Sequence, residues 1–267
     1  MDLQIIHGEV VKNLKTVQNL EIRYFRQENQ GKMQAINNLM EYVTGELVMD
    51  CDSDDYFVEE AFEKIFNHSE SLLRNCKLYA IVLLKNEDKN KLSGNQFTKE
   101  DEETTMFDLY FRKQIIGEKI LIFNTKIRKK YKHELQSGEK FITEARMYHK
   151  MDLNYRIKCY NDVVIEGEYL LDGYTNNLYK TFINSPNGYF EYFKEILQKN
   201  MKGVIFKKRI YAIKHYILFK YLSKNKVNLK EIKDILNRFL YVICYIPGQI
   251  KSKIIVEKDG KREYFKK

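Results

Sequence analysis

Between residues 21 and 51 a strand-like run, an amphipathic helical run and a second strand-like run follow one another, and this succession limits the fold more than any other feature of the chain. Residues 21–25 are rich in β-branched and aromatic side chains. Residues 26–31 (Arg-Gln-Glu-Asn-Gln-Gly) are polar and read as a loop. Residues 32–43 place Met33, Ile36, Met40 and Val43 at helical spacing, and Gly45 stands where a C-terminal cap belongs. Residues 46–51 again read as a strand. A strand–helix–strand unit predicts parallel strands joined by a right-handed crossover, hence an α/β chain. It also sets Asp52 just beyond the carboxyl end of a parallel strand, the edge at which open α/β sheets bind ligands.

Further elements follow the same logic. Residues 59–75 form an amphipathic helix with Phe62, Ile65, Phe66, Ser69, Leu72 and Leu73 on one side. The near-continuous apolar run 78–84 predicts a strand buried on both faces. Residues 87–103 are charged and read as an exposed loop or hairpin, and 105–130 carry no decisive pattern. A turn is expected at 138–140, and a helix over 144–152 with Thr143 as N-cap. One or two strands are expected over 155–169, and helices rich in Tyr, Phe and Lys from about 177 onwards. The chain divides on this reading into an α/β domain over 1–176 and a basic, mainly helical region over 177–267.

Composition narrows the class. With 267 residues, 44% hydrophobic side chains and only two prolines, the chain is globular rather than disordered. Its net charge of +9 is lopsided: residues 199–267 hold 19 Lys and Arg against five Asp and Glu, a balance of +14, so the remainder carries −5. A basic region of this kind suits a negative surface such as a membrane. No apolar run reaches the roughly 20 residues that a bilayer-spanning helix needs. The four cysteines form no Cys-x-x-Cys pair, which fits reduced thiols in the cytoplasm, and the five histidines are scattered.

The chemistry concentrates at Asp50, Asp52, Asp54 and Asp55. In an extended segment residues two apart face the same way, so Asp52 and Asp54 address one site. Two carboxylates with open positions suit a hard divalent cation, Mg²⁺ or Mn²⁺, completed by diphosphate oxygens. The competing reading is structural: Asp54 or Asp55 caps the helix that follows.

Several blocks in fixed order then carry a resemblance. Gln27-Glu28-Asn29-Gln30-Gly31-Lys32, Ala35 and Asn37, Thr44-Gly45-Glu46 and Asp52-Ser53-Asp54-Asp55-Tyr56 resemble the central stretch of the family 2 glycosyltransferases, most closely bacterial enzymes that build capsular and other surface polysaccharides. A second patch lies at Gly138-Glu139-Lys140-Phe141, Thr143-Glu144, Glu168-Tyr169 and Asp172-Gly173-Tyr174-Thr175. The resemblance implies a GT-A fold, a mixed sheet flanked by helices, and metal-dependent, inverting transfer of a sugar from a nucleotide-sugar, a UDP-sugar in the first instance, to a saccharide or lipid-linked acceptor. Asp52 and Asp54 would hold the metal, while Asn29, Lys32, Asn37 and Asp52 would lie along the donor. Lys32 and Asn37 also read as ordinary solvated helix residues.

Glu144 is the candidate base, in the first turn of a helix whose dipole favours an ionised carboxylate. The alternative is a plain helix-starting acid, with Glu139 as the fallback base. Cys51 replaces the usual aliphatic residue before the Asp. Residues 1–20 match neither of the family's first two strands and resemble the helix after them, with Val10, Leu14 and Val17 on one face, so an incomplete nucleotide pocket is expected. The basic region would then rest peripherally on the inner face of the membrane. Nucleic acid is not an expected partner; a non-enzymatic basic module that binds membrane or nucleic acid is the alternative to an enzyme.

Overall fold

A computed structural model describes residues 21–88, 91–167, 178–247 and 249. The chain groups into two units, Met1–Gln30 and Gly31–Lys267. In the first unit residues 21–30 form neither helix nor strand and are mostly exposed, with Glu21 paired to Arg23 at 3.3 Å. The strand expected at 21–25 is therefore absent. The helix expected over residues 1–20 and the motif patch at 168–175 lie outside the described residues.

The second unit is a mixed α/β structure. Its helices and strands, in chain order, are α1 (Lys32–Leu39), β1 (Leu47–Val48), β2 (Asp55–Phe57), α2 (Ala61–Arg74), β3 (Leu78–Asp88), β4 (Lys91–Leu92), β5 (Glu103–Thr104), α3 (Met106–Phe111), β6 (Lys119–Asn124), α4 (Thr125–Arg128), α5 (Glu144–Met151), β7 (Arg156–Gly167), α6 (Leu178–Asn184), α7 (Pro186–Gln198), α8 (Phe206–Ser223), a 3₁₀ turn (Leu229–Glu231) and α9 (235–247). The main sheet runs β1-β6-β3-β7-β2, with β4 added beside β3 and β5 beside β7. Among the described residues only β3 and β7 pair in parallel; the other pairs are antiparallel.

β3 confirms the buried strand, since every residue from Leu78 to Leu84 is 0% exposed. Each such aliphatic side chain contributes about 1.5–3 kcal/mol by leaving water. Its two faces feed different cores. Tyr79, Ala80, Val82 and Leu84 pack with Phe123, Met147 and Met151; Leu78, Ile81 and Leu83 pack with Ile65, Leu72 and Val164.

Three expectations change. α1 ends at Leu39 with Met40 as its C-cap, so Gly45 does not close it. The strand at 46–51 shrinks to β1, which pairs antiparallel with β6, so no parallel crossover links 21–25 to it. On α2 the buried face is Ala61, Ile65, Ser69 and Leu72, whereas Phe62 and Phe66 turn outward. That side suffices because 61, 65, 69 and 72 fall on one stripe of a 3.6-residue helix.

The undecided stretch 105–130 resolves into α3, β6 and α4. Asp152, at the end of α5, accepts hydrogen bonds from the backbone N–H groups of Met106 and Phe107 and from the Tyr79 hydroxyl. A carboxylate thus satisfies the open N–H groups at the start of α3 and ties it to α5 and β3. Burial raises the Asp152 pKa, and those donated bonds act against the rise. α7 and α8 pack with Phe107 and Phe111 in a third core.

Candidate active site

A cleft of about 770 Å³ opens between the β1–β2 turn, the start of α1, α5 and the face of α8 that carries Lys208 and Tyr211. Its geometry begins at Gly31. This residue has φ +91°, and a Cβ there would lie 2.1 Å from the carbonyl oxygen of Lys140. Glycine alone permits that contact and that backbone conformation. The contact draws the first turn of α1 against the segment leading into α5, so two helix N-termini open on one place. The Lys32 ammonium spans them. It lies 2.7 and 2.9 Å from the two carboxylate oxygens of Asp52 and 3.3 Å from Oε1 of Glu144. Burial acts to lower the Lys32 pKa, but the carboxylates of Glu144 and Asp52 outweigh it and hold the group charged. The other oxygen of Glu144, Oε2, accepts from the Tyr148 hydroxyl at 3.1 Å. Thr143 occupies the N-cap position of α5 but its hydroxyl makes no capping bond.

The four clustered carboxylates separate into distinct roles. Asp50 is half-buried; burial raises its pKa, and the Arg128 charge acts against the rise. Asp52 faces the cleft through Lys32, while Asp54 sits exposed on the turn and also lines the cleft. Asp55 enters β2 and pairs with Lys85 at 2.8 Å, and Lys85 reaches Glu118 at 3.1 Å. Neither Asp54 nor Asp55 caps α2, whose N-cap is Glu60. Gly167 faces Asp55 across β2 and β7, where a Cβ would stand 2.1 Å from Oδ1 of Asp55.

The other candidates lie elsewhere. Asn37 is buried and clamps the backbone of His133, its Nδ2 donating to the His133 carbonyl at 2.9 Å and its Oδ1 accepting from the His133 N–H at 2.8 Å. Both ends of the amide are spent on that loop. Asn29 is exposed in the first unit. Glu139 accepts from the N–H groups of Asn187 and Gly188 at 2.7 and 2.8 Å and so caps α7, which removes it as the fallback base.

Sequence reasoning missed the far wall of the cleft. Tyr110 and Phe111 of α3, Phe141, Tyr192 of α7 and Lys208 and Tyr211 of α8 line it. His149, on the same helix as Glu144, stacks on Tyr192 at 5.6 Å and meets Phe111 edge-on at 6.2 Å. The Lys208 ammonium lies 6.0 Å from the Phe111 ring centre. The one trace in the sequence is the three-residue spacing of Lys208 and Tyr211, which puts them on one helix face.

Residues 8–136 match the family described as Glycosyl transferase family 2. That stretch is just under half of the chain, and over it the sequence is similar to the family 2 glycosyltransferases. Among solved structures, TarS 1–349 of S. aureus in complex with UDP-GlcNAc is 16% identical, with 92% of this chain and 79% of that chain covered at a TM-score of 0.50. The mannosyltransferase PcManGT of Pyrobaculum calidifontis, in complex with GDP-Man and Mn2+, is 13% identical over 98% of this chain and 75% of that one, at a TM-score of 0.47. No curated protein matches the sequence. The mixed sheet flanked by helices matches the GT-A fold of such glycosyltransferases, and the cleft with Asp52 and Glu144 is the candidate active site.

Proposed function

We propose that this glycosyltransferase moves a sugar from a nucleotide-sugar, a UDP-sugar in the first instance, to a hydroxyl of a saccharide or lipid-linked acceptor in surface polysaccharide synthesis, with inversion. The observation that carries the reading is the Asp52–Lys32–Glu144 contact at the point where α1 and α5 begin. Two helix N-termini and an ammonium group favour an anionic diphosphate there. Glu144 lines the cleft wall beside them, which supports its reading as the base that takes the proton of the attacking hydroxyl. Asn37 contributes indirectly, by fixing the loop around His133.

A divalent cation fits this donor set under one condition. Among the described residues no three His, Cys, Asp or Glu side chains gather as a metal site, so those residues offer at most Asp52 and Asp54. Mg²⁺ or Mn²⁺ is commonly held by one or two carboxylates with substrate phosphates completing the shell. Both oxygens of Asp52 are engaged by Lys32, which must shift its ammonium towards the diphosphate for Asp52 to serve as a ligand. When bound, the cation would neutralise charge on the departing nucleoside diphosphate.

The aromatic far wall supports an acceptor placed against Tyr192 and Tyr211, since the faces of sugar rings are apolar. The basic C-terminal region supports a peripheral membrane contact; among the described residues no helix is long and apolar enough to cross a bilayer.

Glu144→Gln and Asp52→Asn separate the roles. Glu144→Gln is expected to lower transfer about 10²–10⁴-fold, the usual contribution of a general base, while calorimetry still finds UDP binding. Asp52→Asn is expected to weaken Mn²⁺-dependent UDP binding. Full transfer by Glu144→Gln would remove it as the base.

A further inference from the structure

α9 carries its apolar side chains on the wrong side for a helix of a closed globule. Leu240 and Tyr241 point inward, 7% and 5% exposed, against the core formed by α7 and α8. Ile235, Leu236, Phe239, Val242, Ile243 and Ile246 point outward, at 80, 45, 62, 61, 55 and 70% exposure. At 3.6 residues per turn these six positions fall within an arc of about 120°. The helix therefore shows a continuous apolar stripe three turns long, where a surface helix ordinarily turns charge to water.

The surroundings of the stripe are basic. Lys224, Lys226, Lys230 and Lys233 lie just before α9, are exposed, and form no ion pair among the described residues. The only two acids between 224 and 247 are engaged internally: Glu231 with Lys194 at 3.4 Å and Asp234 with Arg209 at 2.9 Å. α9 itself has no carboxylate. An apolar stripe flanked by uncompensated lysines matches one kind of partner, a surface that is anionic outside and apolar beneath.

We infer that α9 lies in the interface of an anionic lipid membrane, its stripe among the upper acyl chains and the four lysines at the headgroups. This rests on the peripheral membrane contact proposed above and supplies its structural element. α9 packs on α8 through Tyr241 and Tyr216, whose rings are 6.0 Å apart, and the Lys220 ammonium donates to the Tyr245 hydroxyl at 2.9 Å. α8 in turn brings Lys208 and Tyr211 to the cleft. Docking through α9 therefore holds the acceptor wall of the cleft near the lipid surface.

The test is sedimentation of the full chain with phosphatidylglycerol-containing vesicles and with pure phosphatidylcholine vesicles. The wild type should bind the anionic vesicles at least tenfold more tightly than the neutral ones. Phe239→Ser combined with Ile243→Ser should weaken that binding at least tenfold while thermal stability and UDP binding stay unchanged, since both side chains already face solvent. Wild-type binding that the double variant retains in full, and that high salt abolishes, would leave the basic region as the sole contact and overturn the role of the stripe. No binding by the wild type would overturn both readings. A dimer seen by light scattering and lost in the double variant, without vesicle binding, would make a second copy of the chain the partner instead.

Discussion

Lys32, in the cleft, and His133, behind it, show how neighbours fix the protonation state of a single side chain. Lys32 holds Asp52 and Glu144 apart, one carboxylate on each side of an ammonium, so neither faces the other unscreened. Behind them His133 is 3% exposed, its Nε2 3.3 Å from the Arg128 guanidinium. Burial first, then the charges of Arg128 and Lys32, push its pKa down to about 3 from the usual 6.5. In the unfolded chain the imidazole takes up a proton near pH 6.5, and in the folded chain only near pH 3. The stability it contributes is therefore complete above 6.5 and is lost as pH falls through that window. Moving from pH 7 to pH 5 should cost about 2 kcal/mol from this residue alone, at 1.36 kcal/mol per unit. Urea unfolding of His133→Gln at the two pH values should show a loss smaller than the wild type's by about that amount. None of this was legible in the sequence. His133 and Asn37 are 96 positions apart, and neither neighbourhood signals that the amide clamps the loop.

At the level of elements, α1 and α5 are the pair on which the site depends. The sequence carried both: apolar spacing from Met33 marked the first, and Thr143-Glu144 marked the second. It did not carry their juxtaposition, which comes from the approach of Gly31 to Lys140. Gly31→Ala adds a Cβ 2.1 Å from a backbone oxygen and forces a residue with φ +91° into a disfavoured region. It should destabilise the fold by about 2 kcal/mol or more, read as a lower melting temperature, and transfer should fall even at temperatures where the variant remains folded.

The strands divide similarly. β3 was readable because seven consecutive buried residues need no partner to be recognised. The run at 46–51 was misjudged because its short antiparallel pairing depends on β6, more than 70 residues later. Of the clustered acids, the sequence separated Asp52 and Asp54 as a pair but had no means to see that Lys85 claims Asp55.

For the molecule as a whole, the C-terminal helices are a wall of the site. Phe107 and Phe111 share one core with α6, α7 and α8, so the region that reads in sequence as a basic appendage is packed against the cleft. Tyr211, 46% exposed and 4.1 Å from His215, stands at that wall. Tyr211→Ala should raise the KM for acceptor about three- to tenfold, the equivalent of about 0.5–1.5 kcal/mol for a lost ring contact. Hydrolysis of the nucleotide-sugar in the absence of acceptor should stay unchanged. A matching loss in both assays would place Tyr211 with the donor.

One helix, α5, begins at Glu144 and carries His149, with Tyr192 stacked on it, five residues on. At 1.5 Å per residue the two are separated along the axis by about 7.5 Å, a distance that hydrogen-bonded backbone holds fixed. The helix is therefore a ruler. On the proposed function, an acceptor ring resting on the aromatic wall would present to Glu144 whichever hydroxyl lies at the far end of that span, and regiochemistry, the choice of carbon to be linked, would be set by a backbone length rather than by contacts to the hydroxyl itself.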